Sequence, residues 1–147
     1  MLTCPEASFF AIYGSDFMYA SHGQMLSRPY CGQRVHDLLS VLDLLEANGY
    51  RSVHLVARGL GTIWSTFAAC LHRLVKRVTL HNALRSYHEL TQVPVPRWPL
   101  SATVRGVLAD FDLPDCHRLL RADKKIAIVQ PWDARMRPLP KRGRKGR

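Results

Sequence analysis

Residues Val53 to Ala69, VHLVARGLGTIWSTFAA, leave this chain little choice of fold. The apolar, β-branched run from Val53 to Ala57 reads as a buried strand. Gly59 and Gly61 then punctuate it, and a helix follows to about His72. A strand that passes through a tight turn into a helix is the first half of a βαβ unit, whose second strand lies parallel to the first. Leu74 to Leu80, containing VKRVTL, supplies that strand.

The flanking segments fit the same plan. Val35, Leu38, Leu39, Leu42 and Leu45 fall at helical spacing between Gly32 and Asn48, and Gly49 caps that helix. Two further helices are expected near Ser101 to Phe111 and Pro114 to Arg121. A third strand runs from Lys125 to Gln130, where Pro131 stops it. Ser86 with Glu89 has the spacing of a capping box. The class is α/β, a three-layer parallel sheet with flanking helices on both faces. Ligands of such sheets bind beyond the carboxyl ends of the strands, which points to 58–62, 81–85 and 131–137.

Composition narrows the function. With 147 residues, 47% of them hydrophobic, the chain can bury a core. Its formal net charge of +10 resembles a nucleic-acid signal, but seven of the 21 basic residues lie beyond Ala134 and no acidic residue follows Asp133. The remainder carries fourteen basic against eleven acidic groups. The ending PKRGRKGR has no interleaved aromatic residue on which bases could stack, so it reads as a solvated, disordered tail and nucleic acid is not the expected partner. Cys4, Cys31, Cys70 and Cys116 form no C-x-x-C pair, and read as free thiols. The N-terminus lacks the pattern of a signal peptide, no stretch suits a membrane span, and the compartment is not legible.

The glycine turn bears on chemistry. Ala57 to Gly61 occupy the five places of a G-x-S-x-G nucleophile turn, with Gly59 where the serine belongs. A G-x-G after a strand also opens a dinucleotide fingerprint, but Trp64 stands where its third glycine is required and the later acid is absent, so no cofactor is expected. The seven histidines show no zinc spacing, and no metal is expected. His81, at the end of the second strand, is the histidine best placed to line a site, beside Arg58; a hydrogen-bonded structural role is the simpler account of it. Ser65 and Thr66 lie more than a turn into the helix, where packing is expected.

Four segments together resemble the C-terminal part of acetyl xylan esterase-like α/β-hydrolases, over about Asp16 to Leu139. They are SHGQMLSRPYCGQRVHDLLSVLDLLEANGY, the run from Val53 to Leu90, WPLSATVRGVLADFDLPDCHRLL and KIAIVQPWDARMRPL. The most specific pieces are MLSRPYCGQRVHDLL and VLADFDLPDC. The resemblance implies a carboxyl-ester hydrolase fold acting on an ester or carbohydrate ligand. It places Gly59 at the nucleophile position, the Leu60 backbone N–H in the oxyanion hole and Asp133 at the triad acid.

The departures are equally specific. Glycine has no attacking atom, no histidine follows His117, and the strands that precede the turn in that family are missing. The chain therefore reads as a truncated, catalytically impaired hydrolase-like domain over 1–139 with a tail at 140–147. Its alternative use is as a binding module working through the residual cleft or the sheet edge, including self-association. Asp133 reads otherwise as a turn residue paired with Arg135 or Arg137.

Overall fold

The computed structural model describes residues 15–139. Cys4, most of the N-terminal stretch weighed as a leader, and the basic tail lie outside the described residues. Helix α1 (Ser15–Met25) leads into α2 (Tyr30–Ala47), strand β1 (Val53–Arg58), α3 (Gly61–Leu71), β2 (Val75–His81), the single turn α4 (His88–Thr91), α5 (Leu113–Asp123) and β3 (Lys125–Val129). The strands form one parallel sheet in the order β1-β2-β3.

Local signals account for most boundaries. Helix α2 closes with the Gly49 N–H donating to Glu46 O (3.0 Å) and the Tyr50 N–H to Leu45 O (3.1 Å). This is the paired bonding that satisfies the last free carbonyls of a helix. Helix α5 starts on Asp112, whose carboxylate accepts from the Leu113 N–H (2.6 Å), while Asp115 accepts from the Asp112 N–H (3.0 Å).

Three expectations are corrected. Residues 101–111 are not a helix: two 3₁₀ turns, Leu100–Ala102 and Val107–Ala109, are separated by Gly106 at φ +75°, a left-handed conformation that interrupts helical bonding. Ser86 and Glu89 do not form a capping box, because Ser86 Oγ donates to Asp112 Oδ2 (2.5 Å) and Glu89 pairs with Arg85. The sheet is not the middle of three layers among the described residues. Helices α2, α3 and α5 all pack on one face, through Leu42, Ala68, Ala69 and Leu120 against Leu55, Val78, Leu80 and Ile128.

A second cluster lies under the connection between β2 and α5, where Leu84, Tyr87, Trp98, Ala102, Val107 and Leu113 meet Cys31 and Ile63. Leu42, Leu80, Leu84 and Leu120 are each almost wholly buried. Each such side chain contributes about 1.5–3 kcal/mol relative to exposure.

Candidate functional site at the carboxyl edge and open face of the sheet

Each of the three strands is followed at once by a residue in the left-handed region: Gly59 (φ +58°), Asn82 (φ +57°) and Gln130 (φ +47°). Each turns the chain off the sheet, and together they make a carboxyl edge held by a short network. The Gly59 N–H donates to His81 O (3.0 Å) and the Asn82 N–H to Val129 O (2.9 Å). The buried Asn82 side chain bridges all three ends, accepting from Arg58 Nε (3.0 Å) and donating to Gln130 O (3.1 Å). Asparagine is among the non-glycine residues that enter this region most readily, and here its side chain is held by bonds to residues distant in sequence.

Gly59, at φ +58°, makes the turn from β1 into α3. A Cβ built on Gly59 meets nothing within 4 Å, so a side chain there would project into open space. Leu60 is the N-cap of α3 and no side chain caps that end. The Gly59 carbonyl accepts from both the Thr62 N–H (3.1 Å) and Thr62 Oγ1 (2.6 Å), which fixes the turn. Ser65 and Thr66 are buried, and Thr66 Oγ1 donates back to Thr62 O (2.7 Å), so neither hydroxyl reaches the edge.

Asp133 is engaged in its own turn. Its Oδ1 accepts the backbone N–H groups of Arg135 and Arg137, each at 2.8 Å, and its carbonyl accepts from Trp98 Nε1 (2.9 Å). The pairing is with main-chain donors of those arginines. Among the described residues no imidazole bonds to Asp133.

The histidines are placed elsewhere. His81 stands at the carboxyl end of β2, half-buried, in register with Arg58 and Val129. His72 does meet a carboxylate, Asp43 (3.0 Å), but at the opposite end of the sheet, and its Nδ1 accepts from the Leu74 N–H (3.1 Å), so both ring nitrogens are occupied. His117 is buried in α5, where desolvation and then the nearby Arg121 push its pKa down to about 4. The structure therefore brings together Arg58, Gly59, Leu60 and His81 at one edge and leaves Asp133 in a separate turn. Among the described residues no group of three or more His, Cys, Asp or Glu side chains could hold a metal ion.

A feature not expected from sequence is a sheet face that no other described residue covers. Register sorts its side chains into three rows: His54, Arg77 and Lys125; Val56, Thr79 and Ala127; Arg58, His81 and Val129. Val56 is 64% exposed and Val129 37%. No carboxylate occurs in any of the three strands. Placing Arg77 directly beside Lys125 is an unfavourable like-charge pair. His54 Nε2 bonds to Thr79 Oγ1 (2.8 Å) across the face. The one sequence signal for this was the polar member in alternate positions of β1 and β2.

No described helix is long and apolar enough to cross a membrane. No family model, curated protein or solved structure matches the chain significantly.

Proposed function

We propose that this chain is an α/β-hydrolase-like protein, resembling acetyl xylan esterases, that does not hydrolyse esters and serves as a binding module, its open sheet face receiving an acidic amphipathic helix of a partner. The observation that carries this reading is the face itself. Parallel sheets are normally covered on both sides, because βαβ crossovers lay helices on each face. Here a row of Val56 and Ala127 with Thr79 between runs between a row holding Arg77 and Lys125 and a row holding Arg58. An amphipathic helix with glutamates flanking its apolar stripe is complementary to that pattern, and relieves the like-charge contact of Arg77 with Lys125. Face-to-face stacking of two copies would oppose the same cations.

The test uses the full chain and two synthetic amphipathic helical peptides, one with glutamate and one with lysine flanking a leucine stripe. The glutamate peptide binds, more weakly as salt rises, and the double reversal Arg77→Glu/Lys125→Glu weakens it about tenfold or more with the fold unchanged by circular dichroism. Equal affinity for both peptides, or indifference to the reversal, overturns the reading. So does light scattering that finds a dimer abolished by Val56→Glu.

The absence of catalysis is tested separately. Loss of the nucleophile in a serine hydrolase costs about 10⁶-fold in turnover. A chromogenic acetyl ester is expected to hydrolyse at the buffer rate with the natural chain and equally with Gly59→Ser, because among the described residues no imidazole is held by Asp133 to activate a hydroxyl there. Turnover that disappears in Asp133→Ala would show the site to be working after all.

A further inference from the structure

Cys70 closes α3 and Cys116 lies in the first half of α5, 46 residues apart, yet the packing of these helices puts them side by side. Cys70 Sγ donates to the Cys116 carbonyl oxygen at 3.9 Å, which sets the two cysteines next to each other. Both are partly exposed. They line an apolar cavity of about 570 Å³, walled by Phe67, Leu71, Phe111 and Leu119. A third thiol, Cys31, also lines it but is 1% exposed, and burial pushes its pKa up to about 12, which makes it inert.

The surroundings distinguish the two neighbours. Lys124 Nζ donates to Ala69 O and to His72 O (2.9 Å), so its ammonium is fixed at the C-terminal end of α3. The Cys116 hydrogen bond first, and then that ammonium, lower the Cys70 pKa against the opposing effect of burial. Cys116 moves the other way, raised by its bond to Cys70 and by burial. A thiolate-prone cysteine beside a second, less acidic thiol is the arrangement of an attacking and a resolving group.

We propose that Cys70 and Cys116 form a thiol–disulfide exchange site for low-molecular-weight disulfides bearing an apolar group. Cys70 thiolate attacks one sulfur of the disulfide RSSR, forming a mixed disulfide and releasing RS⁻, which takes a proton. Cys116 then gives up its proton and attacks the Cys70 sulfur, expelling the second RS⁻. One external S–S bond and two protein S–H bonds are consumed, and one Cys70–Cys116 bond and two RSH are formed. A small dithiol reverses the sequence. The apolar wall of the cavity seats the R group while the exchange proceeds.

The full, folded chain is treated with dithiodipyridine, a neutral aromatic disulfide, and digested for peptide mapping. The expected product is a Cys70–Cys116 cross-link, reversed by dithiothreitol. In Cys116→Ser the map instead shows a stable pyridyl adduct on Cys70. With a neutral alkylating probe Cys70 reacts about tenfold faster than Cys116, and Lys124→Met removes much of that difference. Separate adducts on both cysteines of the natural chain, or a cross-link that forms only in denaturant, overturn the proposal.

Discussion

Acidification from pH 6.5 to pH 4 is expected to remove about 3 kcal/mol of folding stability through His117 alone. The ring is 5% exposed on α5, and its pKa falls from the ordinary 6.5 to about 4, through burial first and the Arg121 charge second. The folded chain therefore keeps the imidazole neutral in a range where the unfolded chain takes up a proton. Stability from this source is complete above pH 6.5, declines as the pH falls, and stops declining near pH 4. Urea unfolding of the natural chain and of His117→Gln at pH 7 and pH 4.5 isolates the contribution, because other titrating groups are common to both. The variant is expected to lose less stability on acidification, by nearly that full amount. Equal losses would mean that His117 is protonated in the folded chain.

The second large effect belongs to Asp112, which fastens the connection after β2 to the start of α5. Its carboxylate accepts from Ser86 Oγ, the Tyr87 N–H (2.7 Å), the Leu113 N–H and the His88 N–H (3.3 Å). Asp112→Ala strips the cap and leaves those donors without their partner, an expected loss of about 3 kcal/mol. Thermal unfolding is expected to show a Tm lower by about 10 °C. A drop within about 2 °C would mean that water replaces the carboxylate freely. Asp112→Asn, which retains acceptor oxygen but not charge, should fall between. Burial pushes this carboxyl up, but the four hydrogen bonds more than reverse that, so its pKa lies below the ordinary 3.8. Its stabilisation is thus complete above that value and is lost only as the pH falls through the lower folded one. The His117 loss comes first on acidification and the Asp112 loss follows.

The strands and the longer helices were legible because their periods are clean. Val35, Leu38, Leu42 and Leu45 mark one side of α2, and Pro131 and Gly59 stand just past strand ends. Residues 101–111 misled because Val104, Val107, Leu108 and Phe111 fall at helical spacing, while one left-handed glycine breaks the bonding among them. Helix α1 went unread because SDFMYASHGQM has no continuous apolar side. The open face was hidden for a different reason. Val53 to Ala57 is apolar enough to pass for a strand buried on both sides, and only the alternation that sets Val56 between His54 and Arg58 separates it, exposed, from Leu55, which is packed.

At the carboxyl edge, sequence located Arg58, Gly59, Leu60 and His81 through the end of a strand, which is a local property. It did not find Asn82, whose bridge joins three separate turns, nor the meeting of Cys70 with Cys116, because both depend on how distant segments pack. Asp133 was visible as a residue after β3, but whether its carboxylate meets an imidazole or its own turn is decided by the fold of 133–137.

The absence of carboxylates from the sheet has a consequence for the protein in bulk solution. Among the described residues β1 and β3 each pair on one side only and one sheet face is exposed, a surface that invites association, and Arg58, Arg77 and Lys125 on it are expected to oppose that by like-charge repulsion. Their mutual repulsion between molecules persists over about 8 Å at physiological ionic strength and shrinks to about 3 Å in 1 M salt. The chain should therefore be most soluble in dilute buffer and grow sticky as salt is added, the reverse of ordinary salting-in.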